Sequence, residues 1–257
     1  MASPQYSIAL ITGASSGIGA ACAEKFVQEG MKVILTARRS DQLNAIATDL
    51  RQRYQANIHA ITLDVTDHEA VKHAIAGLPQ EWQSIDILVN NAGLAAGIDT
   101  FQEAHTQDWE NMIDTNIKGL LYVTRELLPQ MIARHRGHIV NIGSVAGHQT
   151  YKGGAVYCAT KAAVNRINEG LRLDINGSGV RATSIDPGMV DSAFSLVRFK
   201  GDAQRAKSVY QGMTPLKPAD VADAIWYCVS CPPHVNIAEM LIYPTDQAAA
   251  TVVHRRE

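Results

Sequence analysis

Tyr157 and Lys161 stand four residues apart in Tyr157-Cys158-Ala159-Thr160-Lys161, a spacing that sets both side chains on one helical face, one turn apart. A free tyrosine ionises near pH ~10, and a neighbouring ammonium lowers that value by stabilising the phenolate. The pair alone says little, because such pairs are common on helix surfaces. Thirteen residues upstream, however, Ser144 follows the apolar run Ile139-Val140-Asn141-Ile142-Gly143. It thus falls at the carboxyl end of an expected strand, where ligands of open α/β sheets bind. A hydroxyl, a phenol and an ammonium gathered there suit a carbonyl that gains a hydride. The alkoxide so formed needs a proton donor beside the oxygen and groups that stabilise its charge.

A second constellation opens the chain: Thr12-Gly13-Ala14-Ser15-Ser16-Gly17-Ile18-Gly19, between an apolar run and a helical stretch holding Ala20, Ala21, Cys22 and Ala23. Glycines permit a tight turn and close approach of the backbone to a pyrophosphate, and the helix N-terminus offers free amides and the positive end of its dipole. In this strand–turn–helix setting a phosphate cradle is a better reading than a plain turn. The next strand ends Thr36-Ala37-Arg38-Arg39, with no carboxylate before Asp41. An acidic side chain at that place accepts from a ribose 2′-hydroxyl and repels a 2′-phosphate, whereas guanidinium forks match the phosphate. Arg38 and Arg39, helped by the Ser15 and Ser16 hydroxyls, therefore predict NADP(H) rather than NAD(H), with Arg38 expected to matter most. The plain alternative, two solvated arginines opening a helix, puts positive charge where the helix dipole disfavours it.

The elements that position these groups alternate. Apolar strand-like runs fall at Ile8 to Thr12, Lys32 to Thr36, Ile58 to Leu63, Ile85 to Asn90, His138 to Ile142, Val180 to Ile185 and Met240 to Tyr243. Between them, Gly17 to Glu29, Ser40 to Tyr54, His68 to Gly77, Gln107 to Ala133, Ala155 to Asn176 and Ala219 to Ser230 carry helical periodicity, as in Leu43, Ile46, Ala47 and Leu50. The pattern predicts an α/β, Rossmann-like doubly wound fold: a seven-stranded, mainly parallel sheet with helices on both faces. Near-continuous apolar strands such as Ile85-Asp86-Ile87-Leu88-Val89 agree with burial from both sides. No repeat or linker divides the chain, so one domain is expected over residues 1–257. The stretch at about 187–217 is long for a connection and is the expected substrate loop. A tail covers 244–257.

Composition narrows the partners. The 257 residues are 46% hydrophobic and 19% charged with a formal net charge of -2, which gives no basic field to draw the chain onto nucleic acid or an anionic membrane. A small molecule is the expected partner. Met1 to Tyr6 lacks the pattern of a leader, and no run nears the roughly 18 apolar residues of a spanning helix, so a cytoplasmic protein is expected. Cys22, Cys158, Cys228 and Cys231 are too few and too scattered for a disulfide framework. Cys228 and Cys231 form a C-x-x-C, but no second ligand pair accompanies them, and two small apolar residues on one helical face is the simpler account. No metal site is expected.

The spacing Gly13-x-x-x-Gly17-x-Gly19, followed by Asn90-Asn91-Ala92-Gly93, Asn116, Ser144, Tyr157-x-x-x-Lys161 and Pro187-Gly188-Met189-Val190-Asp191-Ser192, resembles the short-chain dehydrogenase/reductase family. The resemblance implies that Asp64 meets the adenine amino group and the Val65 amide a ring nitrogen, and that Asn91, Ala92 and Gly93 line the cofactor groove. It also implies that backbone groups from Pro187, Gly188 and Val190 reach the nicotinamide, with Ser192 standing where the family has threonine. Ser144 would then hydrogen-bond the substrate oxygen, Tyr157 exchange the proton, and Lys161 tune it while holding the nicotinamide ribose. Asn116, awkward inside a long helix, would hold a water that relays protons to the lysine. Asn141 is expected to be structural.

Within the family, Phe194 to Asp202, Gly147 to Gly154 around Tyr151, and Val253-His254-Arg255-Arg256 look like the bacterial branch that oxidises 3-hydroxy acids such as serine and allo-threonine with NADP. An acidic substrate needs a cation near the nicotinamide. Arg198 is the favoured candidate over Lys200, with Tyr151 supplying a hydroxyl or a wall. Reduction of sulfoacetaldehyde or another small anionic aldehyde is the alternative. A non-catalytic nucleotide sensor would be expected to have lost Ser144, Tyr157 or Lys161, and a scaffold subunit the glycines; all are intact. The resemblance further implies a homotetramer assembled through the two long helices, with the apolar tail segment Ala248 to Val253 packing across an interface.

Overall fold

The computed structural model describes residues 6–256; apart from Tyr6, the opening stretch read above for a leader lies outside the described residues. Strands β1 (Ile8–Thr12), β2 (Lys32–Ala37), β3 (Ile58–Thr62), β4 (Ile87–Asn90), β5 (Gly137–Ile142), β6 (Val180–Pro187) and β7 (Glu239–Ile242) form one seven-stranded sheet in the order β3-β2-β1-β4-β5-β6-β7. Every pairing is parallel, from β1 on β2 (Leu10 opposite Ile34) to β6 on β7 (Ser184 opposite Glu239). The expected doubly wound, Rossmann-like architecture is therefore present, and the order reverses between β1 and β4, the switch point where such sheets bind ligands.

Alternation along the strands splits the core into two layers. On one face Ala9, Ile11, Val33, Leu35, Ile87, Val89, Val140 and Ile142 pack with Cys22, Phe26, Leu43, Leu50, Ile225 and Cys228, from helices α1 (Gly17–Gln28), α2 (Ser40–Tyr54) and α9 (Pro218–Ser230). On the other, Leu10, Ile34, Leu88 and Ile139 pack with Val71, Val123, Leu127 and Met131, from α3 (His68–Ala76) and α5 (Leu120–Ala133). The middle strands β1, β4 and β5 are buried at every position, while the edge strand β7 alternates exposed and half-buried. Cys228 belongs to the core under α9, whereas Cys231 follows the last residue of that helix and is half-buried, so the two do not share one helical face as expected; all four cysteines are free.

The long helix expected over Gln107 to Ala133 is interrupted. It runs as α4 (Thr106–Ile113), a π-helical stretch Asp114–Gly119, and α5. The break falls where two distant segments meet: a Cβ on Gly119 would lie 2.6 Å from Val65 Cγ2, so only glycine lets the helix come this near the loop after β3, and Asn116 turns inward within the same segment. The other long helix, α6, spans Ala155–Asp174, and the expected substrate loop contains two short helices, α7 (Phe194–Arg198) and α8 (Ala203–Ser208). Among the described residues no helix is long and apolar enough to cross a membrane.

Candidate active site

A cavity of about 680 Å³ opens over the carboxyl ends of the strands. Of the residues singled out from sequence, Gly13, Ser15, Ser16, Ile18, Arg38, Arg39, Asp64, Val65, Asn91, Ala92, Gly93, Ser144, Tyr151, Tyr157, Lys161, Pro187, Gly188, Val190, Ser192 and Arg198 all line it. Gly17, Gly19 and Asn116 lie behind the wall. The cradle is built for close approach. Gly13 has φ +65°, and a Cβ on Gly19 would meet Asn91 Nδ2 at 2.5 Å and the Gly13 carbonyl at 2.6 Å. Asn91 ties the two halves of the switch point together, donating to the carbonyls of Thr12 (2.8 Å) and Gly13 (3.1 Å), while Thr12 Oγ1 accepts from the amides of Asn91 and Ala92.

The two arginines divide differently from expectation. Arg39 occupies the N-cap position of α2 without capping it; its guanidinium instead reaches back to the hydroxyls of Ser15 (3.0 Å) and Ser16 (2.9 Å). A cation at a helix N-terminus is unfavourable unless something anionic meets it, and three donors converging at the edge of the cradle suit a 2′-phosphate. Arg38 points across the groove, 3.8 Å from Asp64 Oδ2. The residue nearest the cradle hydroxyls is therefore Arg39 rather than Arg38. Asp64 Oδ1 accepts from the amide and hydroxyl of Thr66 (3.0 and 2.9 Å), which leaves the other oxygen at the groove. Asp67 caps α3 by accepting from the Ala70 amide. The glycine cradle, the groove and the Arg39–serine cluster together fit an NADP-type dinucleotide.

Deeper in the cavity, β5 delivers Ser144 and α6 delivers Tyr157 and Lys161. Ser144 Oγ accepts from the Ala146 amide at 3.1 Å, and burial beneath the substrate loop raises the Tyr157 pKa above its ordinary value, opposed by the Arg198 guanidinium and by a hydrogen bond with Ser144. Lys161 is buried too, which pulls its pKa down to about 8 against the opposing charge of Asp186. Its Nζ donates to the Ile142 carbonyl at 2.7 Å. The lysine is held toward β5, and the cation acting on the phenol is Arg198. Asn116 sits behind Gly93, where a Cβ would lie 3.3 Å from Asn116 Oδ1 and 3.6 Å from Lys161 Nζ. The Asn116 side chain binds the Leu94 amide and carbonyl (both 2.8 Å) and Thr160 Oγ1 (3.0 Å), so the π-helical stretch is fixed against the floor of the cavity beside the lysine. Asn141 has the expected structural place, in a buried chain from Asn90 through Asn141 to Asn168.

The substrate loop closes the far wall. Arg198, the last residue of α7, lies 4.9 Å from the ring centre of Tyr157, 5.2 Å from that of Phe194 and 5.8 Å from that of Tyr151. It donates to Tyr151 Oη at 2.8 Å, and its Nε is buried without a partner. Lys200 instead pairs with Asp108 at 2.8 Å. Several lining residues escape a sequence reading. The Phe194 ring lies tilted against Tyr157, 5.7 Å between centres; Tyr210 donates to the Val190 carbonyl and meets Ser195; Gln247 accepts from the Met189 amide at 2.8 Å. Their only signal is aromatic or polar type within an irregular loop and tail. The tail folds onto its own chain, the Ala250 amide donating to Gln149 Oε1, and Ala250 and Thr251 line the cavity.

Known proteins share this arrangement. NADP-dependent 3-hydroxy acid dehydrogenase YdfG of Escherichia coli (strain K12) is 47% identical over 251 residues, 97% of this chain and 100% of that protein. Serine 3-dehydrogenase of Rhizobium radiobacter is 46% identical over 94% of this chain and 95% of that protein. Among solved structures, the closed form of serine dehydrogenase complexed with NADP+ superposes with a TM-score of 0.91 at 46% identity, covering 97% of this chain and 100% of that one. A sequence model of the short chain dehydrogenase family matches residues 7–201. With that match and these relatives, the chain belongs to the short-chain dehydrogenase/reductase family.

Proposed function

We propose that this chain is an NADP(H)-dependent oxidoreductase that interconverts a small 3-hydroxy acid, such as serine or allo-threonine, and its oxo form. The nicotinamide, when bound, supplies or accepts the hydride. Everything else falls to the protein: Ser144 holds the substrate oxygen, Tyr157 gives it a proton or takes one away, and Lys161 with Asn116 keeps the proton path and the ribose side in place. Arg39 with Ser15 and Ser16 takes the 2′-phosphate, and Asp64, Val65, Asn91 to Gly93 and Pro187 to Ser192 line the groove. Names of the relatives support the 3-hydroxy acid reading.

The observation that carries the substrate class is Arg198, a guanidinium over the Tyr157 ring with a buried, unpartnered Nε. A buried donor without an acceptor is costly, on the order of 1–3 kcal/mol, and a substrate carboxylate beside the reacting carbon would relieve it. The same fork accepts a sulfonate, which keeps a small sulfonated aldehyde as the second substrate. A nucleotide sensor would have no use for Ser144, Tyr157 and Lys161 at one cavity. The test is NADPH oxidation against small 3-oxo acids, sulfoacetaldehyde and a neutral aldehyde, in wild type and Arg198→Ala. We expect the variant to raise KM for the anions at least about tenfold, the worth of one charge-assisted hydrogen bond, and to spare the neutral aldehyde. Equal effects on all three would remove the anionic assignment. We also propose a cytoplasmic homotetramer, supported by the family and by apolar side chains left exposed on α4 and α5.

A further inference from the structure

Three residues outside the proposed reaction converge at the edge of the sheet. His148 ends the turn after β5, Asp186 lies at the end of β6, and Glu239 opens β7. One ligand atom from each lies within 4.8 Å of the others. His148 Nε2 is 2.6 Å from Asp186 Oδ2 and 3.0 Å from Glu239 Oε1, and Asp186 is fully buried. A fourth group joins them: the Asn165 amide, one turn beyond Lys161 on α6, lies 2.9 Å from the same His148 nitrogen.

Hydrogen bonding alone satisfies this cluster poorly. Nε2 has a single hydrogen or a single lone pair, yet two carboxylate oxygens and an amide crowd it. Nor does the amide settle as placed. Asn165 Oδ1 faces Ser184 Oγ at 3.3 Å, but that hydroxyl's one hydrogen is already committed to Asp186 Oδ1 at 2.7 Å. Amide oxygen and nitrogen are interchangeable in placement. Turning the Asn165 amide lets its NH2 donate to Ser184 Oγ and brings Oδ1 to His148 Nε2. The convergent atoms are then one imidazole nitrogen and three oxygens, with Ser184 orienting the buried carboxylate from behind.

We propose that His148, Asp186 and Glu239, completed by Asn165 Oδ1, form a binding site for a divalent cation of the first transition row. Two carboxylates and a neutral imidazole present two negative charges, equal and opposite to such an ion. One nitrogen and several oxygens, with no thiolate, is a donor set for Zn2+ or Mn2+. Ligand atoms bound at about 2.1 Å sit roughly 3.0–3.4 Å apart, so the 3.0 Å pair already has the spacing and the 2.6 Å pair opens by a few tenths of an ångström. The imidazole binds as its neutral form, with the Nε2 proton released to solvent. The ion would tie the turn after β5 and the ends of β6 and β7 together directly beneath Pro187 and Gly188, which line the cavity.

The test is calorimetric titration of the tag-free full chain, stripped with a chelator, with ZnCl2 and separately with MnCl2. We expect one saturable site per chain for Zn2+, with weaker binding of Mn2+. His148→Ala and Glu239→Gln should each weaken it at least about tenfold, and at one fixed Zn2+ concentration the rise in melting temperature should be smaller in each variant than in wild type. Glu239→Gln preserves shape on a half-exposed edge strand, so its fold is not in question. Absence of saturable binding by both ions overturns the proposal. So does a site whose affinity in both variants equals that of wild type, which would place the ion elsewhere, for example at Cys228 and Cys231.

Discussion

Tyr157 and Lys161 meet opposite electrostatic fates in one pocket, and that decides what their substitution does. Burial disfavours the charged form of each, raising the phenol and lowering the ammonium. For Lys161 the folded value of about 8 lies below the 10.5 of the free side chain, so between those values the unfolded chain holds the extra proton. The penalty of the buried ammonium is fully present below about pH 8 and is relieved as pH climbs toward 10.5. Lys161→Met should therefore abolish turnover yet raise stability at pH 7. The shift caps the gain at about 3 kcal/mol, and the Ile142 carbonyl left without its donor returns about 1–2 kcal/mol of that. We expect a melting temperature a few degrees higher at pH 7, with the difference fading by pH 10.5; a lower melting temperature at pH 7 would show that the lysine holds the fold rather than strains it. Tyr157→Phe keeps the ring against Phe194 and Arg198 and loses only the hydroxyl. Its kcat should fall by about 10²- to 10⁴-fold, with the NADPH dissociation constant within about threefold of wild type, as read by fluorescence titration.

At the scale of elements, the strand–turn–helix units were legible from sequence because each keeps a strict period. The apolar runs of β1, β2 and β4, the 3.6-residue spacing of α2 and the glycines after β1 all stand where the chain pattern requires them. What escaped depends on contacts between distant segments. The break of the α4–α5 helix rests on Gly119 meeting Val65, although Asn116 inside a helical run was its local signal. The cage of Tyr151, Tyr157 and Phe194 around Arg198 joins three segments of the chain, and no spacing announces it. The division of labour between Arg38 and Arg39 belongs here as well. Both follow β2, but only the N-cap turn of α2 aims one of them at Ser15 and Ser16. Arg39→Ala should raise KM for NADPH by about 10- to 100-fold, the worth of one or two charge-assisted bonds, and leave KM for NADH nearly unchanged. Arg38→Ala should do less. The reverse order in steady-state kinetics would return the 2′-phosphate to Arg38, and equal wild-type efficiency with both cofactors would remove it from both.

For the whole molecule, the apolar surface that remains argues for partners of the same kind. Charged residues cover most of the helices facing water, yet the outer side of α4 and α5 leaves Ile113, Leu121 and Ile132 between 37% and 42% exposed. Single exposed apolar residues are ordinary, but three along one helical run make a seam that a second copy could cover by two-fold symmetry. Elsewhere, Tyr227 on α9 and Leu241 on β7 are 61% and 44% exposed. Two such faces, each paired isologously, generate a closed tetramer, whereas one face alone would stop at a dimer. Sedimentation velocity should accordingly give a tetramer for wild type. Leu121→Asp sets a charge in the first seam and should halve the assembly, leaving dimers held through the second face. Its side chain points away from the cavity, so the dimer should keep its affinity for NADPH. A wild-type monomer would refute the assembly, and a Leu121→Asp tetramer would move its interface off α4 and α5.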